Sequence, residues 1–146
     1  MKLSKNFTRS EIEHSNTAKR LGIKNEMSQE HLENMQNLID NLIQPLRDDI
    51  GPIRISSGYR SPQLNKAIGG SAKSQHSKAQ ALDLQYWSKG KMNNKIIYDW
   101  ILDSGLEFDQ MINEFDFSWI HISLKKNSNR SEVLEAYKNE KGKTKY

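Results

Sequence analysis

Three side chains that commonly bind metal ions lie in or beside two short apolar segments of this sequence. His76 and Asp83 belong to SQHSKAQALDLQ, residues 74–85, and His121 belongs to SWIHISL, residues 118–124. Side chains alternate between the two faces of a β-strand, so Asp83 and His121 each point away from the leucines and isoleucines beside them. If the two strands are neighbours in one sheet, the carboxylate and the imidazole lie together on its open face.

His76 lies seven residues before Asp83, in a segment rich in serine, lysine and glutamine. An odd offset puts the two side chains on opposite faces of a straight strand, so only a loop that folds back over the sheet brings them together. Two imidazoles and one carboxylate leave a fourth zinc position open for water, which is the arrangement of a catalytic zinc site. Bound zinc lowers the pKa of that water to roughly 7. On spacing alone, the alternative of surface or hydrogen-bonded structural residues stays open.

Composition limits which residues can hold a metal and which partners the protein binds. The chain has 146 residues and no cysteine, which excludes disulfides and cysteine-type zinc sites. Lysine and arginine number 22 against 18 acidic residues, for a net charge of +4, which favours anionic partners such as nucleic acid or bacterial wall polymer. The acidic residues are interspersed among the basic ones, with no basic and aromatic cluster, so we expect no binding to nucleic acid.

No segment approaches the ~20 consecutive apolar residues that a membrane span needs. The N-terminal sequence MKLSKNFTRSEIEHS also lacks the apolar run of a signal peptide. We therefore expect a protein that is cytoplasmic as synthesised, does not associate with membranes, and reaches the cell wall only if it is delivered there. Because the sequence has neither a long linker nor internal repeats, residues 1–146 are expected to form one domain, acting as a monomer.

Apolar periodicity and capping signals predict helices first and strands afterwards, which favours an α+β fold over alternating α/β. The predicted helices run from Thr8 to about Arg20, from Ser28 to about Asp49 with a kink at Pro45, and over Ile96–Ile101, with Gly22, Gly51 and Gly105 at their ends. The predicted strands are Ile53–Ser56 and residues 81–87, 108–115 and 118–124. The tail is expected to form a hairpin that turns near residues 139–142, with a frayed helix as the alternative.

The two histidine-bearing segments resemble a known family of enzymes. Ser74-x-His76-x-x-Ala79-x-Ala81-x-Asp83 is similar to the S-x-H-x-x-G-x-A-x-D motif of the zinc D-Ala-D-Ala carboxypeptidases and related peptidoglycan peptidases. WIHIS matches their second motif, W-[IV]-H-[IV]-S. The segments SSGYRSPQLNKAIGG and FDQMINEF also resemble the family, especially its phage and prophage members. The resemblance extends over nearly the whole chain.

This resemblance implies a Hedgehog/DD-peptidase-like fold, in which helices flank an antiparallel sheet. It also implies a zinc ion held by His76, Asp83 and His121. The implied reaction is hydrolysis of a peptide bond in the peptidoglycan stem peptide, most often a D-Ala-D-Ala bond.

Hydrolysis of this kind needs a base that takes a proton from water and passes it to the leaving amine. Glu114 occupies the position of a family glutamate and is the expected base, with Asp116 as its rival. Neither residue shares strand parity with His121, so the chain must turn or bulge between Phe115 and Ser118.

Arg60 and Ala79 are two further positions at which the resemblance matters. Arg60 matches a family arginine that faces the site, where a guanidinium would pair with a substrate carboxylate or stabilise an oxyanion. Ala79 stands where the family motif has glycine. If that position requires a positive φ, alanine costs on the order of 1 kcal/mol and affects the loop that carries His76.

Several functions remain open on the sequence. Within the family, the bond cleaved distinguishes a D-Ala-D-Ala carboxypeptidase, an endopeptidase that cuts cross-links and a phage-type L-alanyl-D-glutamate endolysin, and this specificity resides in loop shapes. The replacement of glycine by Ala79 also leaves room for a non-catalytic, zinc-containing module that binds wall peptides.

Overall fold

Serine and threonine caps begin four of the six α-helices. In the computed structural model, which describes residues 1–146, Thr8, Ser15, Ser28 and Ser61 each accept a hydrogen bond from a backbone N–H of the turn that follows. Such caps satisfy donors that a helix leaves free at its N-terminus. The helices are α1 (Arg9–Glu13), α2 (Asn16–Leu21), α3 (Gln29–Leu38), α4 (Gln44–Ile50), α5 (Pro62–Ala67) and α6 (Lys95–Ser104).

The single helix predicted from Thr8 to about Arg20 is in fact two helices. His14 and Ser15 adopt extended backbone conformations, with ψ of 130° and 119°, which end α1 and separate it from α2. The chain breaks here because the Ser15 hydroxyl caps the next helix. The predicted outer limits are confirmed, since Thr8 caps α1 and Gly22 ends α2 in the left-handed region, with φ 67°.

A π-helical segment, Ile39–Ile43, makes α3 and α4 continuous. Within it, the backbone N–H of Gln44 bonds to the carbonyl of Ile39, a step of five residues. Pro45 follows directly; proline has no N–H, and its ring clashes with the carbonyl four residues earlier. The wider π turn absorbs this distortion, so the irregularity lies just before the predicted kink.

The main sheet has six strands in the order β1-β2-β6-β5-β7-β8, and a separate hairpin holds the remaining two. The strands are β1 (Arg54–Ser57), β2 (Ala81–Gln85), β3 (Trp87–Ser88), β4 (Lys91–Met92), β5 (Gln110–Glu114), β6 (Trp119–Ser123), β7 (Glu132–Lys138) and β8 (Thr144–Lys145). The sheet is antiparallel, as expected, at every pairing except one, where β7 pairs with β5 in parallel. After β6 the chain crosses the sheet near the first residue of β5 and forms β7 on the side of β5 that β6 does not occupy.

Side chains alternate between the two faces of β2 and β6 as the sequence predicts, and the apolar face of each strand points toward the core. A core cluster of 22 residues joins that face to the α3–α4 helices. Its members from these elements include Leu32, Met35, Leu38, Ile39, Leu42, Ile43, Leu46, Leu82, Leu84, Ile120 and Ile122. The opposite face of the sheet carries Asp83 and His121, with Ile112 and Leu134 in the same row.

Two hairpins complete the strand structure. The predicted turn near residues 139–142 is confirmed, since the Asn139 N–H bonds to the Lys143 carbonyl between β7 and β8. The β3–β4 hairpin was not predicted. Its turn, Lys89-Gly90, has positive φ at both positions, and a lysine gives no sequence signal for that conformation. No helix of the chain is both long and apolar enough to cross a membrane.

Candidate metal centre

Asp83 and His121 face each other directly across the β2–β6 ladder. Their side chains meet on the open face, where His121 Nδ1 lies 3.1 Å from Asp83 Oδ1. The register continues this row across the sheet, because His121 pairs with Ile112 and Ile112 pairs with Leu134. The two strands are neighbours, which is the condition for Asp83 and His121 to lie together, and the row defines the floor of a cavity.

His76 reaches the same point from a 3₁₀ turn, Gln75–Lys78, that folds back over the sheet. Ser74 caps this turn by accepting the backbone N–H of His76 at 3.2 Å. The ring Nδ1 of His76 is 2.8 Å from the carbonyl oxygen of Gly58, and its Nε2 is 3.2 Å from Asp83 Oδ1. One carboxylate oxygen thus has an imidazole nitrogen on each side.

The three candidate ligands are enclosed but still reachable. Their side chains are 2% (His76), 13% (Asp83) and 11% (His121) exposed, and one ligand atom from each lies within 4.8 Å of the others. Burial alone would raise the pKa of Asp83. The two imidazoles outweigh that effect through charge and hydrogen bonding, and they hold this pKa well below its usual value.

Ala79 ends the 3₁₀ turn in the left-handed region, with φ 57° and ψ 37°. This is the conformation in which the family glycine is free and alanine is strained. The strained residue is nevertheless fully buried, and the turn before it holds His76 in place. The substitution has therefore not prevented the three candidate ligands from converging.

Glu114 is the last residue of β5 and is cross-strand partner of Trp119, so it shares the open face with His121. It is 8% exposed and lines the cavity. Burial raises its pKa, the negative charge of Asp83 raises it further, and His121 acts in the opposite direction. A buried carboxyl of raised pKa beside a ligand cluster has the character of a general base.

The predicted turn between Phe115 and Ser118 is confirmed. Phe115, Asp116 and Phe117 all have positive φ, from 49° to 59°, and the turn reverses the chain between β5 and β6. Asp116 is exposed at this turn and does not line the cavity. The structure therefore brings Glu114 to the ligand cluster and leaves its rival outside.

Arg60 lines the same cavity, and its backbone N–H donates to the carbonyl of His76 at 3.2 Å. Its side-chain Nε is buried and has no hydrogen-bond partner. Burial lowers the pKa of this guanidinium, and the charge of Asp83 opposes that shift. An unpaired buried donor beside an open cavity is suited to an acceptor from a ligand.

The cavity around these groups has a volume of about 630 Å³. Its residues come from three parts of the chain: the sheet face with Arg60, the loop of residues 70–75, and a C-terminal group that consists of Arg130, Leu134 and Tyr146. We call this last group the C-terminal wall. A volume of this size holds a short peptide segment.

The sequence matches the peptidase M15 family over residues 5–123. The chain belongs to the peptidase M15 family. No curated protein matches the chain. The M15 match contains His76, Asp83, His121, Glu114 and Arg60, and it ends with β6, so the C-terminal wall lies beyond it. Membership confirms the family resemblance seen in the sequence, and indicates a metal-dependent peptidase that acts on peptidoglycan.

The donor atoms of this M15 peptidase fit a metal ion. In the neutral form that metal binding requires, His76 donates its Nδ1–H to Gly58 and presents Nε2 as an acceptor, and this atom faces the Asp83 carboxylate, another acceptor, at 3.2 Å. Two acceptors this close need a cation or a proton between them. Tetrahedral zinc ligands at ~2.0–2.2 Å from the ion lie roughly 3.3–3.6 Å apart, close to the spacings around Asp83 Oδ1.

Sequence reasoning missed a second polar cluster in this M15 peptidase, centred on Asp109. Its carboxylate is fully buried and accepts hydrogen bonds from Gln75 Nε2 at 2.9 Å and from Arg130 N, Nε and Nη2 at 2.9, 3.1 and 2.8 Å. Burial alone would raise the pKa of Asp109, but the bonds from Arg130 lower it to about 2. The only available signal was an acid inside the apolar FDQMINEF run, because its partners lie 34 and 21 residues away.

Proposed function

We propose that this M15 peptidase hydrolyses a peptide bond of the peptidoglycan stem peptide, with the D-Ala-D-Ala bond as the first candidate. The proposal includes a zinc ion bound by His76, Asp83 and His121, in one domain of residues 1–146 with the Hedgehog/DD-peptidase-like fold. The observation that carries it is the convergence of three ligand atoms within 4.8 Å, beside a buried glutamate.

Zinc, when bound, supplies a Lewis acid and lowers the pKa of water to near neutrality. Glu114 is the group that accepts a proton from the attacking water and later delivers it to the leaving amine. Its position on the face of His121 supports this role, as does a pKa that burial raises above its ordinary value. The exposed Asp116 has neither property.

Arg60 is proposed to bind the substrate rather than to transfer protons. A guanidinium keeps its charge, so Arg60, which lines the cavity, can donate to a substrate carboxylate or to the oxygen that becomes negative during the reaction. The orientation of His76 depends on Gly58. The Gly58 carbonyl binds Nδ1 of the ring, which leaves Nε2 facing the Asp83 carboxylate.

The test combines metal content with product analysis. We expect about one zinc per chain in the purified protein and none in His76→Ala, measured by inductively coupled plasma mass spectrometry. The zinc protein is then incubated with a muropeptide that ends in D-Ala-D-Ala. Release of D-alanine identifies a carboxypeptidase, and cleavage after L-alanine identifies an endolysin of the L-alanyl-D-glutamate type.

Two results would contradict the proposal. A protein that takes up no zinc, even after incubation with the metal, has no M15-type centre. A zinc-loaded protein that binds muropeptides without cleaving them is a wall-binding module. The left-handed Ala79 next to the His76 turn is the feature that would favour this second outcome.

A further inference from the structure

The cavity has two chemically different ends along β5. Glu114 and Trp119 form one cross-strand pair, and four residues earlier on β5 Gln110 pairs with Ser123. At about 3.3 Å per residue, the two pairs are roughly 13 Å apart. The acidic residues that line the cavity, Asp83 and Glu114, belong to the ligand row and to the Glu114 end. The Gln110 end carries none.

Arg130 occupies the Gln110 end, and a buried carboxylate fixes its position. The carboxylate of Asp109, the residue before Gln110, accepts hydrogen bonds from Nε, Nη2 and the backbone N–H of Arg130. These bonds leave Nη1 free of hydrogen bonds. The side chain remains 48% exposed and lines the cavity. The guanidinium is therefore held in one orientation, with Nη1 available to a ligand.

The nearest competitor for Arg130 is Glu132, whose Oε1 is 3.7 Å from Nη1. That distance is beyond a hydrogen bond, and Oε1 already accepts the side-chain N–H of Gln110 at 2.6 Å. Glu132 is also 38% exposed and does not line the cavity. It therefore leaves Arg130 able to donate to another carboxylate.

A second cation, Lys73, lines the cavity from the loop of residues 70–75. Lys73 is exposed, makes no ion pair within the chain, and lies two residues before Gln75, whose side chain bonds to Asp109. Lys73 and Arg130 both line the cavity. The residues that line this end of the cavity therefore include two cations and no acid, with the carboxylates of Asp109 and Glu132 lying behind Arg130.

We propose that Arg130, supported by Lys73, binds an internal carboxylate of the substrate peptide, which makes the enzyme selective for stem peptides whose internal carboxylates are free rather than amidated. This inference rests on the proposed function and names its substrate class. An arginine already oriented by a buried carboxylate loses little freedom when it binds, which favours a charged acceptor of fixed geometry. Arg130 is then a substrate-binding residue of the C-terminal wall.

The experiment measures binding separately from turnover. The probes are a synthetic stem pentapeptide with free internal carboxylates and its twin in which those groups are amidated, both with the same free C-terminus. Dissociation constants are measured by calorimetry on the zinc-loaded Glu114→Gln protein, which cannot consume the peptides. We expect the free form to bind on the order of tenfold more tightly, the size of one charge-assisted hydrogen bond.

Substitutions at Arg130 test whether this residue causes the preference for the peptide with free carboxylates. In the same background, Arg130→Gln is expected to reduce the ratio of the two dissociation constants to about one, and Arg130→Lys to retain part of it. Arg20→Gln, at an exposed arginine on α2, is the matched control and keeps the full ratio. Zinc content and the unfolding temperature of each variant verify that the cluster around Asp109 is intact.

Three results would overturn the inference: no preference in the parent protein, a preference that survives Arg130→Gln, or an equal loss of affinity for both peptides, which indicates a structural role. Failure of the proposed function gives a different result. In that case the protein with Glu114 intact cleaves neither peptide, while the ratio of dissociation constants still decides the role of Arg130.

Discussion

His76 and His121 approach the same oxygen of Asp83 from two sides, at 3.2 Å and 3.1 Å. One partner comes from a 3₁₀ turn and the other from the neighbouring strand, so the arrangement requires both the fold of that turn over the sheet and the pairing of the two strands. Such a carboxylate costs free energy to bury unless a proton or a cation lies beside it. A metal ion at this point satisfies all three side chains together.

Glu114→Gln should abolish most of the turnover and leave zinc bound. The amide preserves the size of the side chain but cannot accept a proton, and general-base catalysis typically contributes 10²–10⁴-fold to rate. The measurement is kcat on a muropeptide, with zinc content determined on the same sample. Asp116→Asn, two residues away in the exposed turn, is the control and should retain near-normal kcat. The reverse result would make Asp116 the base.

Gly58→Ala should loosen the metal centre from a distance. A Cβ at Gly58 would lie 2.2 Å from the carbonyl oxygen of Ile12, so the backbone must shift, at a cost of about 1–3 kcal/mol in unfolding free energy. The Gly58 carbonyl holds His76 Nδ1, and the loss of such a supporting bond typically weakens metal affinity 10–100-fold.

The effect of Gly58→Ala is measured by urea unfolding and by competition with a zinc chelator. Ser57→Ala, at the preceding residue of β1, is the control for both measurements. If Gly58→Ala lowers stability but leaves zinc affinity equal to that of the control, the Gly58–His76 bond does not position the ligand.

Ala79→Gly should change stability only slightly. Glycine removes the left-handed strain at φ 57°, worth about 1–2 kcal/mol, but it also loses a buried methyl group worth about 0.8 kcal/mol and adds freedom to the unfolded chain. The unfolding free energy is therefore expected to change by less than about 1 kcal/mol, with zinc content unaffected. A larger gain, accompanied by a rise in kcat, would show that alanine impairs the His76 turn.

Asp109 should stabilise the fold in a pH-dependent way. Its pKa is about 2 in the folded chain and 3.8 as the ordinary value, so the folded state favours the ionised form. The stabilisation, about 2 kcal/mol, is complete above the ordinary pKa and is lost as the pH falls through about 2. Asp109→Asn lacks it at every pH.

Urea unfolding of the parent and Asp109→Asn proteins between pH 7 and pH 2 measures this contribution. The gap in unfolding free energy should be constant down to about pH 4 and narrow below it. A gap that does not depend on pH would mean that the Asp109–Arg130 pair contributes through packing and not through its charge.

The central part of the site was predictable because it depends on a local pattern. Strict alternation placed Asp83 and His121 on the faces opposite their leucines and isoleucines, and one correct strand pairing brought them together. The turn after Glu114 was predictable for the same reason, because the odd offset between Glu114 and His121 excludes a single straight strand. The positions of the ligands were therefore largely contained in two short segments.

The remainder depended on interactions between distant residues. Gln75 and Arg130 meet Asp109 across 34 and 21 residues, and no local spacing indicates such a meeting. The parallel pairing of β5 and β7 depends on the route of residues 124–131, which have no periodic pattern. The break at Ser15 was missed because an internal N-cap in a polar helix resembles an ordinary surface serine.

The chain divides the cavity between two stretches that can change independently. The ligands lie on β2, on β6 and in the turn before β2, whereas Leu134 and Tyr146 of the C-terminal wall follow β6 in the sequence. Neither of these two wall positions takes part in the ladder between Asp83 and His121. In evolutionary terms, a gene copy can diverge toward a new substrate through mutations in the codons that follow β6, while the codons for the three candidate ligands are inherited unchanged.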